Sequence, residues 1–407
     1  MRVLAINQFY PPDHAATSQL LGELCEDLVR AGDKVTVVAS QGTYLGTERL
    51  PAREERAGVH VVRPWATSLG KATKLHRMSD YLSFWATGIL AVARAQRPEV
   101  ILTLTTPPMI AAGAVSVGAL RGVPVVCWVQ DVYPEVAAAF GVLPETARAY
   151  RALHALAAAT HQGTTRVVAL SDGMAERLVG QRAPRERLRV VQNWADGRMI
   201  RPIPHSENPF RAEHGLLERF VLMYSGNIGE GHDVATFVDA ARRLRQQRPE
   251  VLLLFVGEGS RKKEAERLAR GMDNVRFLPY QPKERLAESL SAADLHLISL
   301  RAELDGLLVP SKLYGALASG RPLCYVGPPG CEVARVIRGG ELGWEGRPGD
   351  AQGLADAVLR LAEPGRWVGA GRAARALFEA EFDRPHAVRR WRGVLAEAAG
   401  ARHPRPH

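Results

Sequence analysis

The chain has 407 residues, 46% hydrophobic and 24% charged. That is ordinary globular composition, and at this length two domains of roughly 200 residues each are expected rather than one core. The net charge of +10 favours an anionic partner, but much of the arginine surplus is scattered over helical stretches (Arg242, Arg243, Arg245, Arg389, Arg390, Arg392), and neither zinc-finger spacing nor an RNA-binding aromatic motif occurs, so nucleic acid is not an expected partner.

In chain order, Met1 to Ile6 runs straight into a strand, leaving no room for the charged and apolar regions of a secretory signal, and a cytoplasmic protein is expected. Apolar runs then alternate with segments of helical period, the pattern of parallel sheets covered on both faces. The expected strands of the first half are Val3 to Asn7, Val35 to Ala39, Val59 to Arg63, Val100 to Leu104, Pro124 to Val129, Val167 to Leu170 and Leu188 to Val191. Helices fall between them, including Ser18 to Ala31, Ser79 to Gln96 and Met174 to Val179. The uncharged stretch between Glu99 and Arg121 is broken by Pro107-Pro108 into a strand and a helix, so no membrane span is read there. Cys25, Cys127, Cys324 and Cys331 form no Cys-x-x-Cys, which speaks against a disulfide framework and a zinc site.

A polar, Pro-rich stretch follows. It sets expected boundaries of 1–197 for the first domain, 198–217 for a linker, 218–383 for the second domain and 384–407 for a last helix and tail. Strands resume at Val221 to Tyr224, Val251 to Val256, Val275 to Phe277, Leu295 to Ile298 and Pro322 to Tyr325; after Asp350 only helices are expected. The last helix carries Val388, Trp391, Val394 and Leu395 as an apolar stripe that must pack on something, and it could return to the first domain. Two doubly wound domains bind ligands at the carboxyl ends of their strands.

Three corners of the second half suit a phosphate. Tyr224-Ser225-Gly226-Asn227-Ile228-Gly229 is a strand followed by a Gly-rich turn in which backbone can approach a diphosphate without a Cβ in the way, or it is a simple tight turn. Gly257-Glu258-Gly259-Ser260-Arg261-Lys262 is a second such corner, with cations at a helix start. Pro310-Ser311-Lys312 opens a short helix that Gly320 closes; Lys312 and unpaired backbone amides can meet one anion there, or the lysine is simply solvated. In the first half, Asp131 ends an apolar strand and would act as a general base or fix its loop. Asp13 and His14 follow the first strand and could position an acceptor.

Taken in order, Phe9-Tyr10-Pro11-Pro12, Gln130-Asp131-Val132-Tyr133-Pro134-Glu135, Ala169 to Ala175, Gln192 to Asp196, Tyr224 to Gly229, Val256 to Gly259 and the Pro-Ser-Lys corner resemble the group one, family four glycosyltransferases nearly end to end. The branch they are most similar to is that of bacterial surface-polysaccharide and fucosamine transferases. The resemblance implies an α/β fold of the GT-B type, two Rossmann-like domains facing a central cleft, and retaining, metal-independent transfer of an N-acetylated or deoxy sugar. It implies a nucleotide-sugar donor, expected to be UDP-linked, on the C-terminal domain and no separate cofactor. The acceptor would be a polyprenyl-diphosphate-linked saccharide at an anionic inner-leaflet surface. Catalysis would fall to Asp131; donor binding to Gly226, Asn227, Gly229, Arg261, Lys262, Glu303, Asp305, Pro310, Ser311 and Lys312; and acceptor binding to Asp13 and His14.

The chain departs from the family pattern twice. Asn227 and His232 stand where the family often has Arg and Lys for the diphosphate, and Leu307 and Gly315 replace two glutamates that reach donor sugar and ribose. Glu303 and Asp305, just upstream, are the remaining carboxylates that could reach the sugar. A membrane surface is suggested by Lys71, Lys74, His76 and Arg77 ahead of Tyr81, Leu82, Phe84, Trp85 and Ile89, although the same aromatics could be core. Rival readings are a nucleotide-sugar epimerase of the same fold and a non-catalytic sugar- or nucleotide-binding protein.

Overall fold

The computed structural model describes residues 1–43, 49–70, 74–363 and 365–401. The chain divides into two compact units. The first comprises Met1–Gln192, Gly306–Leu308 and the C-terminal segment from Val388; the second comprises Asn193–Asp305 and Val309–Ala387.

The first unit is built on an eight-stranded sheet of β1 (Arg2–Ile6), β2 (Lys34–Val38), β3 (Arg53–Arg56), β4 (Val59–Val62), β5 (Val100–Thr103), β6 (Val125–Trp128), β7 (Arg166–Ala169) and β8 (Leu188–Val190). Their spatial order is β3-β4-β2-β1-β5-β6-β7-β8. All pairings are parallel except β3 with β4. Because β1 pairs with β2 on one side and β5 on the other, with Val3 opposite both Val35 and Val100, the winding reverses there, and loops leave a crevice at such a point. The inner strands are apolar on both faces, as a sheet covered by helices requires: β5 and β6 are buried throughout. One core cluster joins Leu4, Ile6, Phe84, Ile101, Ile110 and Val125. β3, Arg-Glu-Glu-Arg, was not expected as a strand; it is an antiparallel edge with little to bury, so its sequence has no apolar alternation.

The stripe on the last helix, Arg384–Gly400, lies against the first unit. Trp391 packs on Trp128 with ring centroids 4.5 Å apart, and Glu397 pairs with Arg166 at 2.7 Å and also with Arg189. Val388, Trp391, Val394 and Leu395 are all buried.

The second unit has a six-stranded parallel sheet of β9 (Phe220–Ser225), β10 (Val251–Val256), β11 (Val275–Leu278), β12 (Leu295–Ser299), β13 (Leu323–Val326) and β14 (Gly343–Gly346), in the order β11-β10-β9-β12-β13-β14. Its winding reverses between β9 and β12. β14, Gly-Trp-Glu-Gly, was also missed from sequence, again at a sheet edge. The stretch expected as a linker, 198–217, groups with this unit. Asn208 caps a short helix, Pro209–Glu213, accepting from Phe210 N–H at 2.9 Å. Arg211, buried, pairs with Asp294 at 3.0 Å and donates to the Ala292 and Leu216 carbonyls at 2.8 and 2.6 Å. A buried guanidinium paired in this way through both terminal nitrogens fixes the stretch to the sheet, since an unpaired one would be strongly destabilising.

Candidate functional site

The reversal between β9 and β12 places two of the glycine-rich corners beside Lys312. After β9 the chain turns at Gly226, whose φ is +120°. A Cβ there would stand 3.3 Å from Lys312 Cε, so the missing side chain leaves room for the lysine. After β10 it turns at Gly257, φ +141°, where a Cβ would come within 2.1 Å of the Gly226 carbonyl oxygen, and at Gly259, where it would come within 2.2 Å of the Ile228 oxygen. The two loops are thus packed backbone to backbone, and Gly226 N–H and Ile228 N–H donate to the Val256 and Glu258 carbonyls, both at 2.8 Å. This close approach is why glycine recurs in both corners.

Lys312 begins the helix Lys312–Ala318. Its Nζ donates to the Asn227 carbonyl at 3.0 Å and to His232 Nε2 at 3.1 Å, and lies 4.8 Å from the centre of the Tyr224 ring. Tyr224 Oη–H donates to the same Asn227 carbonyl at 2.9 Å. His232 Nδ1 is 2.7 Å from the Ser299 carbonyl, so Nδ1 carries the proton and Nε2 is free to accept from the lysine. Burial, with Lys312 beside it, pushes the His232 pKa down to about 3, so the ring is neutral. Among the described residues no carboxylate pairs with Lys312. Burial lowers its pKa to about 7, and an anion arriving here would restore the full ammonium charge.

Of the other expected donor residues, the two cations are paired with carboxylates. Arg261 forms an ion pair with Glu264 at 2.6 Å and donates to the His232 carbonyl at 2.8 Å; Lys262 pairs with Glu258 at 2.7 Å. Glu303 is exposed, 3.5 Å from Arg301. Asp305 lies near Gly330, where an added Cβ would be 3.6 Å from its Oδ2. Pro310 is buried, and Ser311 is exposed with no side-chain cap bond. Gly229 sits against the Asn227 side chain. Leu307 is buried, and a side chain at Gly315 would start 3.2 Å from Leu290 Cδ1, so the two positions that lack the family's glutamates are filled by packing. His232 and Tyr224 are site residues that sequence reasoning did not assign. The substitution of a family cation by His232 was the only signal for them.

In the first unit, Asp131 follows β6. Its carboxyl pKa is raised by burial to about 6, in the range useful to a base near neutral pH. The Thr105 hydroxyl accepts from the Gln130 and Asp131 amides at 3.2 and 3.4 Å. Asp13 is buried and turned to its own chain, accepting from Ala15 N–H at 2.7 Å just before the helix Ala16–Arg30. His14 beside it is exposed. Among the described residues, no three His, Cys, Asp or Glu side chains are grouped so as to hold a metal ion, and no helix is long and apolar enough to cross a membrane.

Comparison with known proteins agrees with this layout. Residues 17–194 match the glycosyl transferase 4-like domain model and residues 219–364 the glycosyl transferases group 1 model. WbjE of Pseudomonas aeruginosa, assigned as a glycosyltransferase, is 28% identical over 67% of this chain and 68% of its own. WcaI of Escherichia coli K12, assigned to colanic acid biosynthesis as a glycosyl transferase, is 25% identical over 79% of this chain and 82% of its own. The crystal structure of Anabaena HepE with UDP and glucose superposes with a TM-score of 0.71 at 15% identity, covering 97% of this chain and 99% of that one. WaaG, involved in lipopolysaccharide biosynthesis, gives 0.69 at 18% identity over 98% and 100%. These structures share the GT-B architecture of two parallel-sheet, Rossmann-like domains. With its two doubly wound units and both models matched in order, the chain belongs to the group 1 glycosyl transferases.

Proposed function

We propose that the chain transfers a sugar, N-acetylated or deoxy, from a UDP-linked donor to a polyprenyl-diphosphate-linked saccharide, with retention and without a metal, in the synthesis of a bacterial surface polysaccharide. The observation that carries the donor half is Lys312, a half-buried cation with no carboxylate partner among the described residues, held by Asn227, His232 and Tyr224 beside two backbone-packed glycine turns. Such a cation stabilises charge developing on a departing diphosphate, where a preorganised donor has most effect. UDP is bound by HepE, and polysaccharide synthesis is the assignment of WcaI and of AmsK from Erwinia amylovora; both support this reading by likeness. Gly226, Asn227 and Gly229 shape the diphosphate turn, and Glu303 and Asp305 are the carboxylates proposed for the sugar hydroxyls. In the transfer step the acceptor oxygen bonds to the anomeric carbon as the bond to the diphosphate breaks. The hydroxyl proton passes to Asp131.

The test is turnover of a panel of UDP-, GDP- and dTDP-sugars with membrane lipid extract as acceptor source, with the anomeric configuration of the product read by NMR. Asp131→Asn is expected to keep nucleotide affinity within twofold and to lose at least a hundredfold in transfer rate. Full transfer by that variant removes Asp131 as the base. Release of an altered sugar nucleotide in the absence of lipid indicates the epimerase instead, and donor binding with no turnover under any condition indicates a binding protein.

The acceptor's lipid places the protein at an anionic membrane surface, and the helix Lys74–Arg94 offers the contact. Phe84 is core, and Tyr81 and Ile89 are half-buried, so these three of the aromatic and aliphatic residues expected at the bilayer face inward. Leu75, Met78 and Leu82, at i, i+3 and i+7, are instead 80%, 54% and 63% exposed, with Trp85 beside them and Arg77 also exposed. Lys71 lies outside the described residues, as does the side chain of Lys74. In vesicle flotation with phosphatidylglycerol, Leu75→Glu/Leu82→Glu should reduce binding by about tenfold or more, since each leucine buried in lipid contributes roughly 1.5 to 3 kcal/mol. Equal flotation of variant and wild type excludes this face.

A further inference from the structure

Strand β12 is the sheet neighbour of β9, and Arg301 lies just beyond its end. Backbone bonds fix it beside the turn that follows β9. Arg301 N–H donates to the Gly231 carbonyl at 2.9 Å. Two residues earlier, the Ser299 carbonyl accepts from His232 Nδ1 at 2.7 Å and the Ser299 hydroxyl accepts from Asp233 N–H at 3.0 Å. The half-buried Arg301 side chain reaches back to the same turn, where Nη1 donates to the Glu230 carbonyl at 3.4 Å. Lys312 holds the other end of the turn, at the Asn227 carbonyl. The turn thus carries a cation at each end, and the Gly229, Glu230 and Gly231 amides between them donate to nothing among the described residues. Backbone N–H groups left open between two cations suit an anion.

Without Arg301 the charge available to such an anion falls short. A nucleoside diphosphate carries more than one negative charge. His232 is neutral, and Lys312, with a pKa of about 7, is only partly protonated at neutral pH. Arg261 is committed elsewhere: Nε and Nη2 pair with the two oxygens of Glu264 at 2.6 and 2.7 Å, and Nη1 donates to the His232 carbonyl at 2.8 Å. Arg301 is held far more loosely. Its carboxylate neighbour, the exposed Glu303, stands 3.5 Å from Nε, beyond a good hydrogen bond. Exposed ion pairs of this kind contribute little, whereas a guanidinium meeting phosphate through two parallel N–H bonds makes one of the strong charge-assisted contacts. A phosphate therefore outcompetes the glutamate for this arginine.

We propose that Arg301 is a second ligand of the donor diphosphate, and that the diphosphate takes it from Glu303 by ion exchange. Glu303 is one of the two carboxylates assigned to the sugar hydroxyls, so arrival of the phosphates releases the group that reads the sugar. In the empty site Glu303 is occupied by Arg301; in the loaded site it is available. The proposal rests on the reading of the Lys312 corner as the donor site, and adds to it a residue and a substrate-driven switch.

The experiment is calorimetric titration of the full chain with UDP, GDP, dTDP and ADP, at about pH 6.5 and about pH 8.5. Arg301→Gln should weaken the best-bound diphosphate by roughly tenfold or more at both values, because a guanidinium does not titrate in this range. Its melting temperature without ligand should match wild type. Arg301→Lys, which keeps the charge and loses the fork, should recover part of the affinity. Glu303→Gln removes the competitor and should tighten the same diphosphate about two- to fivefold. In the Arg301→Gln background Glu303→Gln should change nothing. That non-additivity marks an exchange, since two residues with separate structural roles would add.

Wild-type affinity in Arg301→Gln overturns the proposal. So does a Glu303→Gln variant that binds no more tightly than wild type, or whose gain persists without Arg301. Failure of the parent reading looks different. If none of the four diphosphates binds the wild type, the donor site itself is refuted and the proposal falls with it. If Lys312→Met binds like wild type while Arg301→Gln does not, the lysine leaves the site and Arg301 stays.

Discussion

Lys312→Met should abolish most nucleoside diphosphate binding while leaving the unliganded protein at least as stable as wild type at pH 7. A charge-assisted hydrogen bond to phosphate contributes roughly 1.5 to 3 kcal/mol, so the affinity loss is on the order of ten- to a hundredfold, readable by calorimetry. The stability expectation follows from the titration of the lysine. Its pKa is about 7 in the folded protein and 10.5 when unperturbed, so between those values the unfolded chain binds more protons and stability rises with pH. At pH 7 and below the half-buried ammonium works against the fold. Methionine removes the charge and keeps the alkyl stem on the Tyr224 ring.

Wild-type affinity should also depend on pH. A bound diphosphate raises the lysine pKa, so binding takes up a proton wherever the free lysine is neutral. Affinity should be level below about pH 7 and fall with a slope approaching tenfold per unit above it. The terminal phosphate of the ligand, with a second pKa near 6, is largely ionised by pH 7, so the slope above 7 belongs mainly to the protein. Lys312→Met should show no such slope. A wild-type affinity independent of pH from 7 to 9 would remove Lys312 from the phosphate site.

Gly257→Ala should be the more damaging change to structure. The new Cβ would lie 2.1 Å from the Gly226 carbonyl oxygen, at a φ of +141°, so it meets both a disfavoured backbone conformation and a backbone atom that cannot rotate away. The two effects together should cost about 2 to 5 kcal/mol. Because the displaced oxygen belongs to the turn beside Lys312, nucleotide binding should fall with stability. The conservative control is Gly339→Ala, on a helix, where an added Cβ meets nothing within 4 Å; it should melt close to wild type. Equal melting temperatures for Gly257→Ala and wild type would show that the two loops are not packed as described.

These two residues mark how much of the site was legible in the chain. Inner strands such as Val100–Thr103 and Val251–Val256 declare themselves because burial on both faces leaves uninterrupted apolar runs. The edges β3 and β14 do not, because an edge strand needs no such run. Lys312 could be read from Pro310 and Ser311 ahead of it and Gly320 after it. What the sequence could not supply is how a histidine and a carbonyl from the turn after β9 come to hold the lysine, since that depends on which strands are neighbours. Asp13 shows another limit: that this loop carboxylate accepts from the backbone at the start of its own helix could not be read from the chain.

The pairing of Trp128 with Trp391 has a consequence for biogenesis. The first sheet is complete in sequence by Val190, yet Trp128, at the end of its β6 strand, is covered by a ring that emerges from the ribosome some two hundred residues later. At a synthesis rate of about 5 to 20 residues per second, that face stays open for roughly ten to forty seconds. The second unit is made entirely within this interval. A nascent chain of this kind offers an indole-lined apolar surface to chaperones during that window, until the helix carrying Trp391 closes it.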